Sequence, residues 1–132
     1  NNFCPMTKIY LPPSDRTPEV VLDFASGLFS FEGESYPQSP QTFLEPIRMQ
    51  LVDWFKKSPS HALNFQFKFD YLDSPSIKLV MDIVEDIEEL NQHNKSITVS
   101  WYYPKNSRTL KELGEEIATE LSQIRMAIIA KD

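Results

Sequence analysis

From Leu63 to Tyr71 every second residue is apolar: Leu63, Phe65, Phe67, Phe69 and Tyr71 alternate strictly with Asn64, Gln66, Lys68 and Asp70. Successive side chains of a β-strand point to opposite faces, so this period of two predicts one aromatic face and one polar face. A strand covered on both faces reads instead as a continuous apolar run. The chain must therefore build a sheet whose core lies on one side. Residues 97–103 repeat the pattern, with Ile97, Val99, Trp101 and Tyr103 set against Thr98, Ser100 and Tyr102.

The rest of the chain supplies what covers that face. Lys8 to Leu11 reads as a short strand stopped by Pro12 and Pro13. Residues 18–24 and 28–32 read as a hairpin around Ala25-Ser26-Gly27. Phe43, Ile47, Leu51, Trp54 and Phe55 have helical spacing, with Ser39 as N-cap and Pro40 at the first position. Pro46 lacks the N–H that bonds back one turn, which predicts a kink or a late helix start. A long helix is predicted over 75–92. Ile77, Val80, Met81, Ile83, Val84, Ile87 and Leu90 form its apolar stripe, Asp82, Glu85, Asp86 and Glu89 its acidic back, and Asn94 its end. Thr109-Leu110-Lys111-Glu112 fits a capping box for a last helix running through Leu113, Ile117 and Leu121. Met126 to Ala130 suits either a closing strand or a helical tail. Alternating strands and helices imply an α/β fold with a mixed β-sheet and helices packed mainly on one face. Leu63, Phe65, Phe67, Phe69, Ile97, Val99 and Trp101 are then expected to line the sheet under Trp54, Met81 and Val84. The 132 residues fit one domain, 1–132.

Composition narrows the function. Hydrophobic residues make up 41% and charged residues 24%, the proportions of a globular chain able to fold without disulfides. The net charge is -6, and thirteen Lys and Arg are scattered with no cluster beyond Lys56-Lys57. Nucleic acid and anionic membrane are therefore disfavoured partners. No stretch approaches the ~18 apolar residues of a membrane span. Asn1 to Met6 have neither a basic nor an apolar leader region, and the lone Cys4 has no internal partner, so a cytoplasmic location is expected. The only histidines are His61 and His93, and no spacing of His, Cys or carboxylates suggests a metal site. Gly27, Gly33 and Gly114 form no phosphate-cradling loop, and G-x-S-x-G is absent. The expectation is a non-enzyme without cofactor or metal. The alternative is a small hydrolase or lyase whose Ser, His and carboxylate meet from distant positions.

One segment carries more. Tyr71-Leu72-Asp73-Ser74-Pro75-Ser76-Ile77-Lys78 lies where the aromatic strand ends and the long helix begins. Asp73 or Ser74 caps that helix, Pro75 takes its first position, and Ser76 falls in its first turn. A purely structural role accounts for all of this. The same geometry also puts a hydroxyl beside unpaired N–H groups and the positive end of the dipole. A phosphate there would leave the fold intact while adding about two charges to the surface.

Thr17-Pro18-Glu19-Val20, Asp23, Gly27, Gly33-Glu34-Ser35-Tyr36-Pro37, the junction above and Met81-Asp82-Ile83 occur together in an order and spacing that resembles the SiaC-type family of bacterial regulatory phosphoproteins. The resemblance runs from about residue 7 to residue 120. It implies a STAS-like, anti-anti-sigma-factor-like fold and a partner switch in cyclic-di-GMP signalling. A dedicated protein kinase phosphorylates a junction hydroxyl, a PP2C-type phosphatase reverses this, and the unphosphorylated form binds and activates a diguanylate cyclase. Carried onto this chain, the acceptor is Ser74, with Asp73, Pro75 and Ser76 as its neighbourhood. The chain departs here from the family's usual Asn-Thr-Ser-Ser. An adaptor of the same fold that has lost the switch is a further reading.

Overall fold

The computed structural model describes residues 8–57, 62–91 and 96–132; Cys4, His61, His93 and the predicted helix end at Asn94 lie outside them. Three strands come first: β1 (Lys8–Leu11), β2 (Glu19–Asp23) and β3 (Leu28–Ser35). Helices and strands then alternate as α1 (Pro40–Lys57), β4 (Leu63–Leu72), α2 (Ser74–Leu90), β5 (Ile97–Pro104), α3 (Arg108–Ala118) and β6 (Met126–Lys131). The sheet follows sequence order, β1 to β6. The first two pairings are antiparallel and the remaining three parallel. From β3 onward each helical crossover steps one strand in the same direction, and right-handed crossovers then put all three helices on one face.

That face is the core. Leu63, Phe65, Phe67, Phe69, Val99 and Trp101 are buried there, as are Val84 and Ile83 of α2, while Ile97, Trp54 and Met81 are partly buried against them. Parallel register sets Phe29 beside Phe65 and Phe31 beside Phe67, stacked with centroids 4.9 and 5.4 Å apart. Each such ring contributes about 1.5–3 kcal/mol through burial. On the opposite face Glu32, Asn64 and Thr98 are exposed and Gln66 and Lys68 half-buried. The mixed sheet with one covered face stands as the alternation predicted.

Several local expectations are corrected. Tyr71 does not continue the aromatic face. The β3–β4 register shifts between Gly33 and Glu34, with Asp70 as the extra residue of β4, so Tyr71 turns outward and Leu72 takes the buried place. Gly33, at φ 116°, supplies the left-handed backbone at this bulge. α1 starts at Pro40 and not late, and Pro46 sits inside it on the exposed side. Water can there satisfy the carbonyl that a proline leaves unbonded. α3 is capped by Ser107, whose Oγ accepts from Leu110 N at 3.2 Å, and not by Thr109. It ends at Ala118, short of Leu121, and Met126–Lys131 pairs with β5 as a strand. The acidic back of α2 is only partly a solvated face: Arg48 Nε of α1 donates to Asp86 at 2.6 Å.

Glu88 of α2 holds the connection that delivers β6. Its Oε2 accepts from Ser122 N, Ser122 Oγ and Gln123 N at 3.0, 2.6 and 2.9 Å. Burial pushes this carboxyl up, but the hydrogen bonds of 122–124 outweigh burial and hold it below the ordinary glutamate value.

α3 docks directly on Trp101, whose Nε1 donates to Leu110 O at 2.9 Å. A Cβ at Gly114 would run into the Trp101 indole. Gly114→Ala is expected to lower unfolding stability by about 1–3 kcal/mol in urea titration, since this overpacking outweighs the better helix propensity of alanine.

Candidate functional site

The site lies at the carboxyl ends of β3 and β4, where α2 departs. Asp73 N donates to Ser35 O at 3.1 Å, tying the start of the helix to the end of β3. Asp73 has an extended backbone, and its Oδ1 accepts from Ser76 N at 2.9 Å, so Asp73 is the N-cap. The helix begins at Ser74, which puts Pro75 at its second position rather than its first. Proline costs nothing there, because the N–H groups of the first turn have no intrahelical partner.

This geometry sorts the two hydroxyls. Ser76 is 0% exposed, and its Oγ lies 2.9 Å from Oγ of Ser35, also 0% exposed. The pair is a closed hydrogen bond inside the molecule. Ser74, two residues earlier, is exposed, and among the described residues its hydroxyl has no hydrogen-bond partner. Asp73 Oδ1 accepts from Ser76 N, and among the described residues no hydrogen bond joins the Asp73 carboxylate to the Ser74 hydroxyl. Of the two junction hydroxyls, only that of Ser74 faces solvent.

Sequence reasoning missed the aromatic side of the site. Because of the bulge, Tyr71 is 49% exposed and meets Tyr36 edge to face, centroids 5.8 Å apart. On its other side Tyr36 carries Arg16, whose Cζ lies 5.7 Å from the ring centroid. The Arg16 loop is knitted by Ser14 Oγ, which accepts from Arg16 N and Thr17 N, and it is fastened to β3 by Tyr36 N donating to Arg16 O at 2.8 Å. Register pairs Tyr71 with Glu34 and Leu72 with buried Ser35, so Tyr71, with Tyr36 and then Arg16 packed against it, lies on the sheet face away from the helices. The sequence reading ends this strand at residue 32, whereas β3 runs on to Ser35 with Gly33 inside it, and an isolated glycine inside a strand marks a bulge.

The unpaired N–H groups expected at this helix start are mostly consumed. Pro75 has none, Ser76 N is held by Asp73 Oδ1, and Ile77 N donates to Asp73 O at 2.9 Å. Among the described residues no three His, Cys, Asp or Glu side chains are grouped to hold a metal ion, and no helix is long and apolar enough to cross a membrane.

A family model described as SiaC family regulatory phosphoprotein matches residues 11–131. A protein of Pseudomonas aeruginosa strain UCBPP-PA14 is 28% identical over 120 residues, spanning 89% of this chain and 92% of that protein. The crystal structure of apo-SiaC from Pseudomonas aeruginosa is similar with a TM-score of 0.79 and 28% identity, over 95% of this chain and 100% of that one. SiaC in the crystal structure of the diguanylate cyclase SiaD in complex with its activator SiaC, from the same organism, gives a TM-score of 0.81 at 27% identity, over 93% and 99%.

The two serines should separate in a denaturation series. Ser74→Ala is expected within about 0.5 kcal/mol of the parent. Ser76→Ala and Ser35→Ala each leave a buried hydroxyl unpaired and should cost about 1–3 kcal/mol. The double substitution should cost clearly less than the sum of the two, as a shared bond requires.

Proposed function

The chain belongs to the SiaC family of regulatory phosphoproteins, and from that premise we propose that it is a non-catalytic partner switch controlled at Ser74. Its unphosphorylated form binds and activates a diguanylate cyclase, a protein kinase adds the phosphate, and a PP2C-type phosphatase removes it. Support for the cyclase comes from the similar SiaC chain, which is the activator in a complex with SiaD. The observation that carries the choice of residue is the sorting of hydroxyls: Ser74 is exposed and unpartnered at the helix start, while Ser76 is sealed against Ser35.

The physical basis of the switch is charge at a contact face. A phosphoserine adds about -1.5 to -2 charge near neutral pH, next to the carboxylate of Asp73. A partner packed over it must desolvate that charge, at a cost of a few kcal/mol. The aromatic pair Tyr36 and Tyr71 is the kind of rigid, amphipathic surface that carries binding energy at interfaces. The fold survives because the Asp73 cap and the buried serine pair lie beneath the modified hydroxyl.

The test is calorimetric titration of the organism's own cyclase with the full chain, with and without phosphoserine placed at position 74. Tight binding of the unmodified chain and weakening by about a hundredfold or more on phosphorylation are expected. Equal affinity for both forms would leave an adaptor without a switch, and overturn the proposal.

A further inference from the structure

β6 closes the sheet at one edge, with β5 as its strand neighbour. Of its six side chains only that of Met126 is buried; Ala127 and Ala130 are exposed, and Ile128 and Ile129 half-buried. β4, two strands inward, buries Leu63, Phe65, Phe67, Phe69 and Leu72. Apolar burial therefore fixes β6 far less firmly than the strands inside it. Polar groups hold its two ends instead. Ahead of the strand, Oε2 of Glu88 accepts from Ser122 N, Ser122 Oγ and Gln123 N at 3.0, 2.6 and 2.9 Å. Oε1 of the same carboxylate is buried and has no hydrogen-bond partner among the described residues, so the bonding of Glu88 goes to this connection. At the far end Lys131 Nζ reaches past β5 to donate to Lys68 O at 3.2 Å and to pair with Asp70 at 3.0 Å, while Lys131 O accepts from Lys105 N at 3.1 Å.

We propose that residues 122–131 form a strap that opens from the edge of β5 as one unit, with the Glu88 carboxylate as its clasp. A segment with few buried apolar contacts opens at a lower free energy than the whole molecule. Its release is opposed by the ladder to β5, by the buried side chains of Ile124 and Met126, and by the charged bonds at the two ends. Hydrogen bonds to an ionised group are roughly twice as strong as neutral ones, and Glu88 alone accepts three.

Released, the strap leaves the edge of β5 from Val99 to Pro104 with unpaired backbone groups, a template for another extended segment. The clasp thereby decides which strand the sheet presents at this edge. This holds whether or not Ser74 is the acceptor.

Native-state hydrogen exchange of the full chain, read by NMR, tests the strap. The amides of Ser122 and Gln123 report its start and that of Lys105 its end, roughly 20 Å away along β6. In the parent these three should share one opening free energy and exchange at least about tenfold faster than the β4 amides, which wait for global unfolding. Glu88→Gln should speed all three by about tenfold, and Glu88→Ala by more. Ser122→Ala removes one bond and leaves the carboxylate, so it should speed them by less. Lys131→Met, at the opposite end, should speed Ser122 and Gln123 as well. A Lys105 amide unmoved by Glu88→Gln would make the Glu88 bonds a local fastening only and overturn the proposal. Strap amides as slow as those of β4 in the parent would overturn it too, since the strap would then open only with the whole fold.

Discussion

The parallel pairing of β3 with β4 is the constraint from which the rest of the molecule follows. Aromatic contacts from Phe29 to Phe69, two of them stacked and one tilted, bind the two strands in one register. A slip of one residue would turn every ring of that face into water. The register is therefore rigid up to Gly33 and Phe69, and the single extra residue Asp70 breaks it just before the helix starts. That break has two effects at once. It brings Leu72 into the interior beside Ser35, and it turns Tyr71 out beside Tyr36. Lys131 of β6 donates to Lys68 O and pairs with Asp70 at 3.0 Å, anchoring the extra residue from the far side.

The junction sorts its polar groups by depth. Below the surface, Asp73 caps the helix and the two buried serines close on each other. At the surface stands the Ser74 hydroxyl, exposed and without a hydrogen-bond partner among the described residues.

Periodicity made the sheet, its one covered face and the three helices legible, because each rests on a repeat of several residues that one exception does not erase. Tyr71 was misplaced for the same reason: alternation extrapolates through a bulge, and only Gly33 hinted at the break. α3 was started two residues late since Ser107 and Thr109 are both competent caps, and docking of Leu110 and Gly114 on Trp101 decides between them. Met126 to Ala130 suited both helix and strand until the exposed edge of β5 decided it. That Ser74 stands at the helix start is legible from Asp73-Ser74-Pro75, while its role as acceptor comes from the resemblance alone. The burial of Ser76 is not legible, because its partner Ser35 is 41 residues away.

The central claim is that the fold leaves one hydroxyl of the junction open to modification and seals the other. Mass-spectrometric mapping of phosphate on the chain isolated from its own cells, under conditions where its kinase is active, tests this most directly. The account predicts phosphate on Ser74 and none on Ser76. Phosphate on Ser76, or an unmodified junction with the kinase active, would contradict it.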